Sequence, residues 1–202
     1  MRKPMDIDFE RCSSGMEYEE WVKDLLGKIR MKADRVGKND CGIDIIATAA
    51  INKNMTKRFY IQCKYYNKPL GKGPIQKIFA GTAHHKDYGE PVVITNNHVT
   101  FEACRYAKDL AVEIIAAPEW EEFKRINIEG RVDNPNQHTG LFGLMIAVLL
   151  RDKNYFDKVI ASTEGEKVQN KNELKLQIVS EFDEAEECVK EAAYLHQKAA
   201  QF

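Results

Sequence analysis

Gly42-Ile43-Asp44-Ile45-Ile46 and Tyr60-Ile61-Gln62-Cys63-Lys64 are two apolar runs with the pattern of buried strands, and each carries polar side chains that packing does not need. Asp44 lies among isoleucines in the first run. In the second run Gln62 and Lys64 are two positions apart, so the alternation of a strand places both on one face. If the two strands are neighbours, a carboxylate, an amide and an ammonium group converge on one spot. Such a set can hold a divalent cation and a phosphate, which indicates a nuclease.

The elements around these runs predict an α/β fold. A first helix is expected from Ser13 or Ser14, either of which can cap its free amides, to about Ile29. Further strands are predicted over 31–36, 43–50, 58–66, 91–95 and 112–116, and further helices over 74–84, 100–110 and 118–126, with polar turns between them, one of them over 52–57. The order α-β-β-β-α-β-α-β-α is typical of an α/β sandwich around a mixed central sheet.

Three segments are expected along the chain. Residues 1–12 show no periodicity and are interpreted as an N-terminal arm. The polar stretch 130–138 is rich in turn residues and predicts a boundary, so that the α/β domain spans residues 13–130. Residues 131–202 are expected to be all-helical.

Two apolar patterns in residues 131–202 support that C-terminal helical extension. Leu141–Leu150 is apolar on every side and too short to span a membrane, so it must be buried in protein. A later stripe from Leu174 to Ala193 recurs at helical spacing. We expect these helices to form a module that joins two copies of the chain as a homodimer, with a heterologous protein partner as the alternative.

Composition places the chain among globular proteins. It has 202 residues, 44% of them hydrophobic and 30% charged, which suits one ordinary domain plus an appendage. No N-terminal stretch has the form of a secretory signal, so we expect a cytoplasmic protein without a membrane partner. The five cysteines are odd in number and form no Cys-x-x-Cys pair, which argues against a disulfide framework or a zinc site.

The net charge of -1 conceals a segregation of charge. No Asp or Glu occurs from Ile45 through Lys86, and this basic block surrounds the predicted site, which favours a surface that faces nucleic acid. The candidates for DNA contact are Lys57, Arg58, Lys68, Lys72 and Lys77. Lys72 lies between two glycines before a helix start, and a flexible loop explains it equally well.

Three fragments in order resemble a known family: Gly15-Met16-Glu17-Tyr18-Glu19, then Gly42-Ile43-Asp44, then Gln62-Cys63-Lys64. The pattern resembles the Mrr-type restriction endonuclease domain of the PD-(D/E)xK nuclease superfamily and covers residues 13–120 or so. This resemblance implies a restriction-endonuclease-like sandwich that hydrolyses DNA phosphodiesters with Mg²⁺, or with Mn²⁺ in its place. A role in restriction or anti-phage defence, of type IV against methylated DNA, follows from the resemblance alone.

The resemblance also assigns roles to residues. Asp44 is the central metal ligand, and Gln62 replaces the acid that usually stands two residues before the catalytic lysine, Lys64. Glu19 completes the site, with Glu17 as the reserve candidate. Asp44 and Glu19 supply two negative charges to one Mg²⁺, Gln62 adds a neutral oxygen, and Lys64 orients the attacking water or stabilises the transition state.

Simpler explanations remain open at this stage. Asp44 can bond turn amides alone, and Glu19 can be a solvated helix residue. Asp40, a secondary metal candidate, fits better as the first residue of an Asx-type turn.

A second function is also open: a nucleic-acid-binding or adaptor subunit with an inactive or partner-activated nuclease site. A salt bridge between Lys64 and Asp44 without metal affinity would favour that reading, and a metal ion bound to Asp44 would favour the enzyme. The residues do not distinguish DNA from RNA.

Overall fold

The computed structural model describes residues 4–37, 41–52, 55–85, 87–133 and 138–151. The stripe from Leu174 to Ala193 and the rest of the chain beyond residue 151 lie outside the described residues. In the part that is described, no helix has the length and apolar character that crossing a membrane requires.

The described residues form five strands and five α-helices, preceded by a short 3₁₀ helix at Phe9–Arg11. In chain order these elements are α1 (Gly15–Lys28), β1 (Lys32–Arg35), β2 (Ile45–Asn52), β3 (Met55–Lys64), α2 (Lys72–Ala83), β4 (Glu90–Thr95), α3 (Phe101–Asp109), β5 (Glu113–Ile115), α4 (Ala117–Glu129) and α5 (Gly140–Leu150). The predicted order is confirmed. Ser14 caps α1, since its hydroxyl accepts a hydrogen bond from the Glu17 amide at 3.2 Å.

The five strands form one mixed sheet in the order β1-β2-β3-β4-β5. The pairs β1–β2 and β2–β3 are antiparallel, and the pairs β3–β4 and β4–β5 are parallel. The prediction of a turn over 52–57 is wrong in its second half, because β3 begins at Met55. Thr56 and Lys57 pair with Ala50 and Ala49 of β2, so the hairpin continues through these polar residues.

Helices cover both faces of the sheet. α1, α4 and α5 pack on one face through a core that includes the aromatic rings of Tyr18, Trp120 and Phe123. α2 and α3 pack on the other face around Ile75 and Ala107. Ile7 and Phe9, in the segment predicted as an arm, are buried in the first of these cores. The predicted domain boundaries themselves stay a prediction.

α5 is the apolar segment for which burial was predicted, and the structure confirms that burial. Its Phe142 ring lies 6.2 Å from that of Phe123 on α4, within the core that α1 also shares. The helix therefore needs no second copy of the chain to cover it. Its N-terminus is capped by Glu113 of β5, whose two carboxylate oxygens accept the amides of Leu141 at 2.7 Å and Phe142 at 2.8 Å.

Candidate active site

Asp44 is fixed where β1, β2 and β3 meet. It directly precedes β2, one residue before the pair Ile45–Ile61, so the antiparallel register extends to place it opposite Gln62. Its backbone amide donates to the Ile61 carbonyl at 2.8 Å and its carbonyl accepts from the Val36 amide at 3.0 Å. Its carboxylate Oδ2 accepts the Cys63 amide at 2.7 Å, so the side chain bonds a strand of the sheet and not the preceding turn.

The turn before Asp44 is pressed against α2. Cys41 and Gly42 both have positive φ angles, of 52° and 92°, and glycine adopts the second of these without steric cost. On α2, a Cβ atom added to Gly81 would lie 2.3 Å from the Cys41 carbonyl oxygen. Only a residue without a side chain lets the helix approach the turn this closely. Gly81 therefore helps to position the turn before Asp44, and sequence reasoning did not identify it.

Lys64 is brought to Asp44, as the two apolar runs predicted. It is the last residue of β3, and its Nζ donates to the Cys63 carbonyl at 2.8 Å while lying 3.5 Å from Asp44 Oδ2. A tight charge-assisted contact is shorter, about 2.7–2.9 Å, so the ion pair with Asp44 is loose. Both polar contacts of the Asp44 carboxylate use Oδ2, which leaves Oδ1 without a hydrogen bond within the described ranges.

Gln62 is the most unusual polar residue of the site. It is fully buried, and neither its amide oxygen nor its amide nitrogen has a hydrogen-bond partner among the residues described. It points to the same side of β3 as Tyr60 and pairs with Val93, so it belongs to the face that α2 and α3 cover. A buried amide without partners costs roughly 1–3 kcal/mol, and such groups in native proteins call for an explanation, of which a bound ion is one.

Glu19 projects from α1 on the other side of the sheet and is paired with a cation. Its Oε2 accepts a hydrogen bond from Arg35 Nη2 at 2.8 Å, and its side chain is 23% exposed, so it is not a solvated helix residue. Arg35 had not been identified from the sequence. Glu17, the reserve candidate, is exposed and instead accepts the Ser13 amide at 2.7 Å; this bond to the backbone lowers the pKa of Glu17.

Cys63 shows how the charges of the site are arranged. Burial is the main cause that raises the pKa of this thiol, and the nearby negative charges of Asp44 and Glu19 raise it further. The positive charges of Lys64 and Arg35 act in the opposite direction. The charges of both ion pairs, Asp44 with Lys64 and Glu19 with Arg35, therefore act on the pKa of one buried thiol.

The predicted DNA-contacting residues divide into two groups along β3. Lys57 is buried, only 7% exposed, and lies 3.0 Å from Glu90, so its charge faces the protein interior; this burial disfavours its assignment to DNA contact, which stays a prediction. Arg58 is ion-paired with Asp87. Arg58 and Lys64 are six strand positions apart, about 20 Å at the usual strand rise, so this end of β3 is remote from the site.

The other predicted contacts lie nearer to Lys64. Lys68 is exposed in the loop that follows β3, and Lys72 is exposed at the start of α2, 3.4 Å from Glu102. Lys77 packs its aliphatic stem against Gly42, so it supports the turn before Asp44. Asp40 lies outside the described residues.

Comparisons with known proteins gave one family match and similar solved structures. Residues 11–123, a little over half of the chain, match the Mrr-type catalytic domain family described as restriction endonuclease. The crystal structure of a protein of unknown function, AF1548, is similar with 20% identity and a TM-score of 0.43, over 74% of this chain and 95% of that one. The DNA modification-dependent restriction endonuclease AspBHI is similar with 15% identity and a TM-score of 0.46, over 77% of this chain and 38% of that one. No curated protein gave a significant match.

Proposed function

The chain belongs to the Mrr-type restriction endonuclease family of the PD-(D/E)xK superfamily, and from this membership we propose that it is a metal-dependent endonuclease that hydrolyses DNA phosphodiester bonds. The observation that carries the proposal is the junction of β2 and β3. There the amide and carbonyl of one residue, Cys63, hold the Asp44 carboxylate and the Lys64 ammonium side by side. An acid and a lysine in fixed relative positions are what a phosphodiester hydrolase needs.

The residues present fit a hard divalent cation such as Mg²⁺, with Mn²⁺ as the alternative. Among the described residues no three His, Cys, Asp or Glu side chains form a metal cluster. Gln62 lies on the face that α2 and α3 cover and Glu19 projects from α1 on the other side of the sheet, so the structure does not bring these two predicted ligands together, and Asp44 is the ligand that the geometry supports. Within the described ranges Asp44 Oδ1 and Glu19 Oε1 accept no hydrogen bond, and the Gln62 oxygen is buried without a partner. Hard cations prefer oxygen ligands of these kinds and keep several waters. When bound, the ion would polarise the phosphate and acidify a water.

The protein groups contribute positioning and charge. The Cys63 backbone holds both functional side chains, so little reorganisation is needed when a phosphate arrives. Because the Lys64 contact with Asp44 is loose, the ammonium group can turn toward a phosphoryl oxygen and stabilise the charge that grows there. Arg35 restrains Glu19 and neutralises part of its charge.

Plasmid cleavage with Mg²⁺, with EDTA as the control, tests the proposal. Asp44→Ala should abolish cleavage, and Lys64→Ala should leave less than about a hundredth of the rate, since one transition-state contact is worth on the order of 10²–10³. Lys28→Ala, an exposed lysine at the end of α1, is the matched control and should cleave normally. Cleavage that survives Asp44→Ala would refute the assignment.

The biological role proposed is restriction or anti-phage defence, as a type IV enzyme that attacks methylated DNA. It rests on the family and on no residue of the site. Methylated duplex, unmethylated duplex, single-stranded DNA and RNA should be compared side by side. Equal cleavage of methylated and unmethylated duplex would exclude the type IV role, and a preference for RNA would exclude DNA as the substrate.

A second candidate function is an adaptor subunit whose nuclease site is inactive or partner-activated. One observation favours it: both candidate carboxylates already contact a cation, Asp44 with Lys64 at 3.5 Å and Glu19 with Arg35 at 2.8 Å. Calorimetric titration with Mn²⁺ separates the two functions. Binding that Asp44→Ala removes supports the enzyme, whereas DNA binding without any metal affinity supports the adaptor.

Homodimerisation through residues 131–202 also remains a proposal, with a heterologous partner as the alternative. Since α5 is already covered by the core, it would contribute little to a dimer contact. Light scattering on the full chain tests the homodimer, and a monomer at all concentrations would leave the heterologous partner as the explanation.

A further inference from the structure

α3 has an outward side that combines an aromatic ring with two cations. Phe101, at its first position, is 82% exposed. Arg105 and Lys108 follow four and seven positions later, so the three side chains lie along one side of the helix, here called the α3 line. Ala103 and Ala107 lie on the opposite side, buried against the sheet. The packing of the alanines fixes which side faces outward.

The acids of this helix flank the α3 line: Glu102 stands three positions before Arg105 and Asp109 four positions after it, about 60° and 40° around the helix axis from Arg105. Glu102 is also within 3.4 Å of Lys72 Nζ. No ion pair of Arg105 or Lys108 is found within the residues described, and both are exposed. Their charges are therefore available to an anionic partner.

The line begins at the edge of the sheet where Lys64 lies. Lys64 pairs with Thr95 of β4, and Phe101 follows six residues after Thr95. The loops after β3 and β4 are tied together, since the Leu70 amide donates to the His98 carbonyl at 2.8 Å and the Thr100 amide donates to the Leu70 carbonyl at 3.0 Å. The start of α3 is thus held firmly next to the catalytic edge.

Two asparagines stiffen the same pair of loops. The Asn96 side chain accepts the Tyr66 amide at 2.7 Å and donates to the Tyr66 carbonyl at 3.1 Å, and Asn97 donates to that carbonyl at 3.1 Å as well. Lys68 is exposed on the first loop. An exposed ring on a rigid, basic platform keeps its position when a ligand arrives, so little conformational entropy is lost on binding.

We propose that the α3 line is a DNA-contacting surface in which Arg105 and Lys108 bind backbone phosphates and the Phe101 ring stacks on a nucleobase near the cleaved bond. The proposal rests on the function proposed above. Phosphate charges match the unpaired cations, and an aromatic ring beside a phosphate-tracking surface is the usual means of holding a base that has left its stack. DNA fits this mixture of cations and one ring better than an apolar protein partner does.

The test measures DNA binding by the full chain in the Asp44→Ala background, which separates binding from cleavage. Fluorescence anisotropy with a labelled duplex should show binding weakened about tenfold by Phe101→Ala and restored by Phe101→Tyr. Arg105→Gln with Lys108→Gln should reduce the slope of log affinity against log salt by about two. The matched controls are Ile128→Ala, an exposed apolar residue of α4, and Lys28→Gln.

A second readout reports on the ring itself. A duplex with 2-aminopurine near the cut position should change its fluorescence on binding, and Phe101→Ala should lose that change while Phe101→Tyr keeps it. If the Asp44→Ala chain binds DNA and all α3 variants bind like the controls, the α3 line is not the DNA surface although the nuclease proposal stands. If that chain binds no DNA and the unaltered chain cleaves none, the proposed function fails and this inference fails with it.

Discussion

Gly81→Ala should slow DNA cleavage without weakening the fold. The added Cβ would lie 2.3 Å from the Cys41 carbonyl oxygen, whereas a carbon and a carbonyl oxygen normally approach no closer than about 3.3 Å. The turn that leads into Asp44 must therefore retreat by about 1 Å. A displacement of that size at a catalytic group can cost on the order of 10² in rate. Alanine also favours the helix by about 1 kcal/mol, which offsets the local strain.

The assay is single-turnover cleavage at saturating protein, alongside DNA affinity and urea denaturation. Gly73→Ala, on the same helix, is the control, because no atom lies within 4 Å of the Cβ it would add. We expect a rate between tenfold and a hundredfold lower for Gly81→Ala and little change for Gly73→Ala. Equal rates for the two variants, with equal stability, would show that the turn does not set the position of Asp44.

Three further changes test other parts of the structure. Burial raises the pKa of Glu113 to about 7 from 4.5, so its contribution to stability is full below pH 4.5 and falls by up to about 3 kcal/mol as the pH rises through 7. Glu113→Gln should remove this decline when the free energy of unfolding is compared at pH 5 and pH 8, and an equal decline in both proteins would contradict this reasoning. Lys57→Met should lower the free energy of unfolding by about 3 kcal/mol, because Glu90 loses its cation, and the affinity for DNA should stay unchanged. A loss of DNA affinity at unchanged stability would instead support Lys57 as a DNA contact. Arg35→Gln removes the cation 2.8 Å from Glu19 and should raise Mn²⁺ affinity several-fold in calorimetry, and an unaltered affinity would exclude Glu19 as a ligand.

The element order was predictable because each element carries its own periodicity. The cap at Ser14 and the alternation in β3 are local patterns, and the structure confirms both. The meeting of Asp44 with Lys64 was predictable too, since it needed only that two consecutive strands be neighbours. Burial of Leu141–Leu150 followed from its composition, although the sequence does not tell which surface covers it.

The features that the sequence did not predict depend on contacts between residues far apart in the chain. Lys57 belongs to a basic block, yet its charge is buried because β4 brings Glu90 beside it through parallel pairing of β3 and β4. Arg35 reaches Glu19 only after β1 has packed beside α1. No local pattern marks either partner, so charge counting along the chain treats all of these side chains as solvated.

The buried Cys63 gives the protein a built-in reporter of how often its site opens. The thiol is 4% exposed and its pKa is raised well above the usual value, so a thiol-modifying reagent reaches it only when β3 separates from its neighbours. Cys41 and Cys104 are exposed and should be labelled at once. With Cys12 and Cys188 replaced by serine, the slow labelling step then times the local opening of the strand that carries Gln62 and Lys64. A bound metal ion or DNA should lengthen that time, without any need for a fluorescent tag or for cleavage.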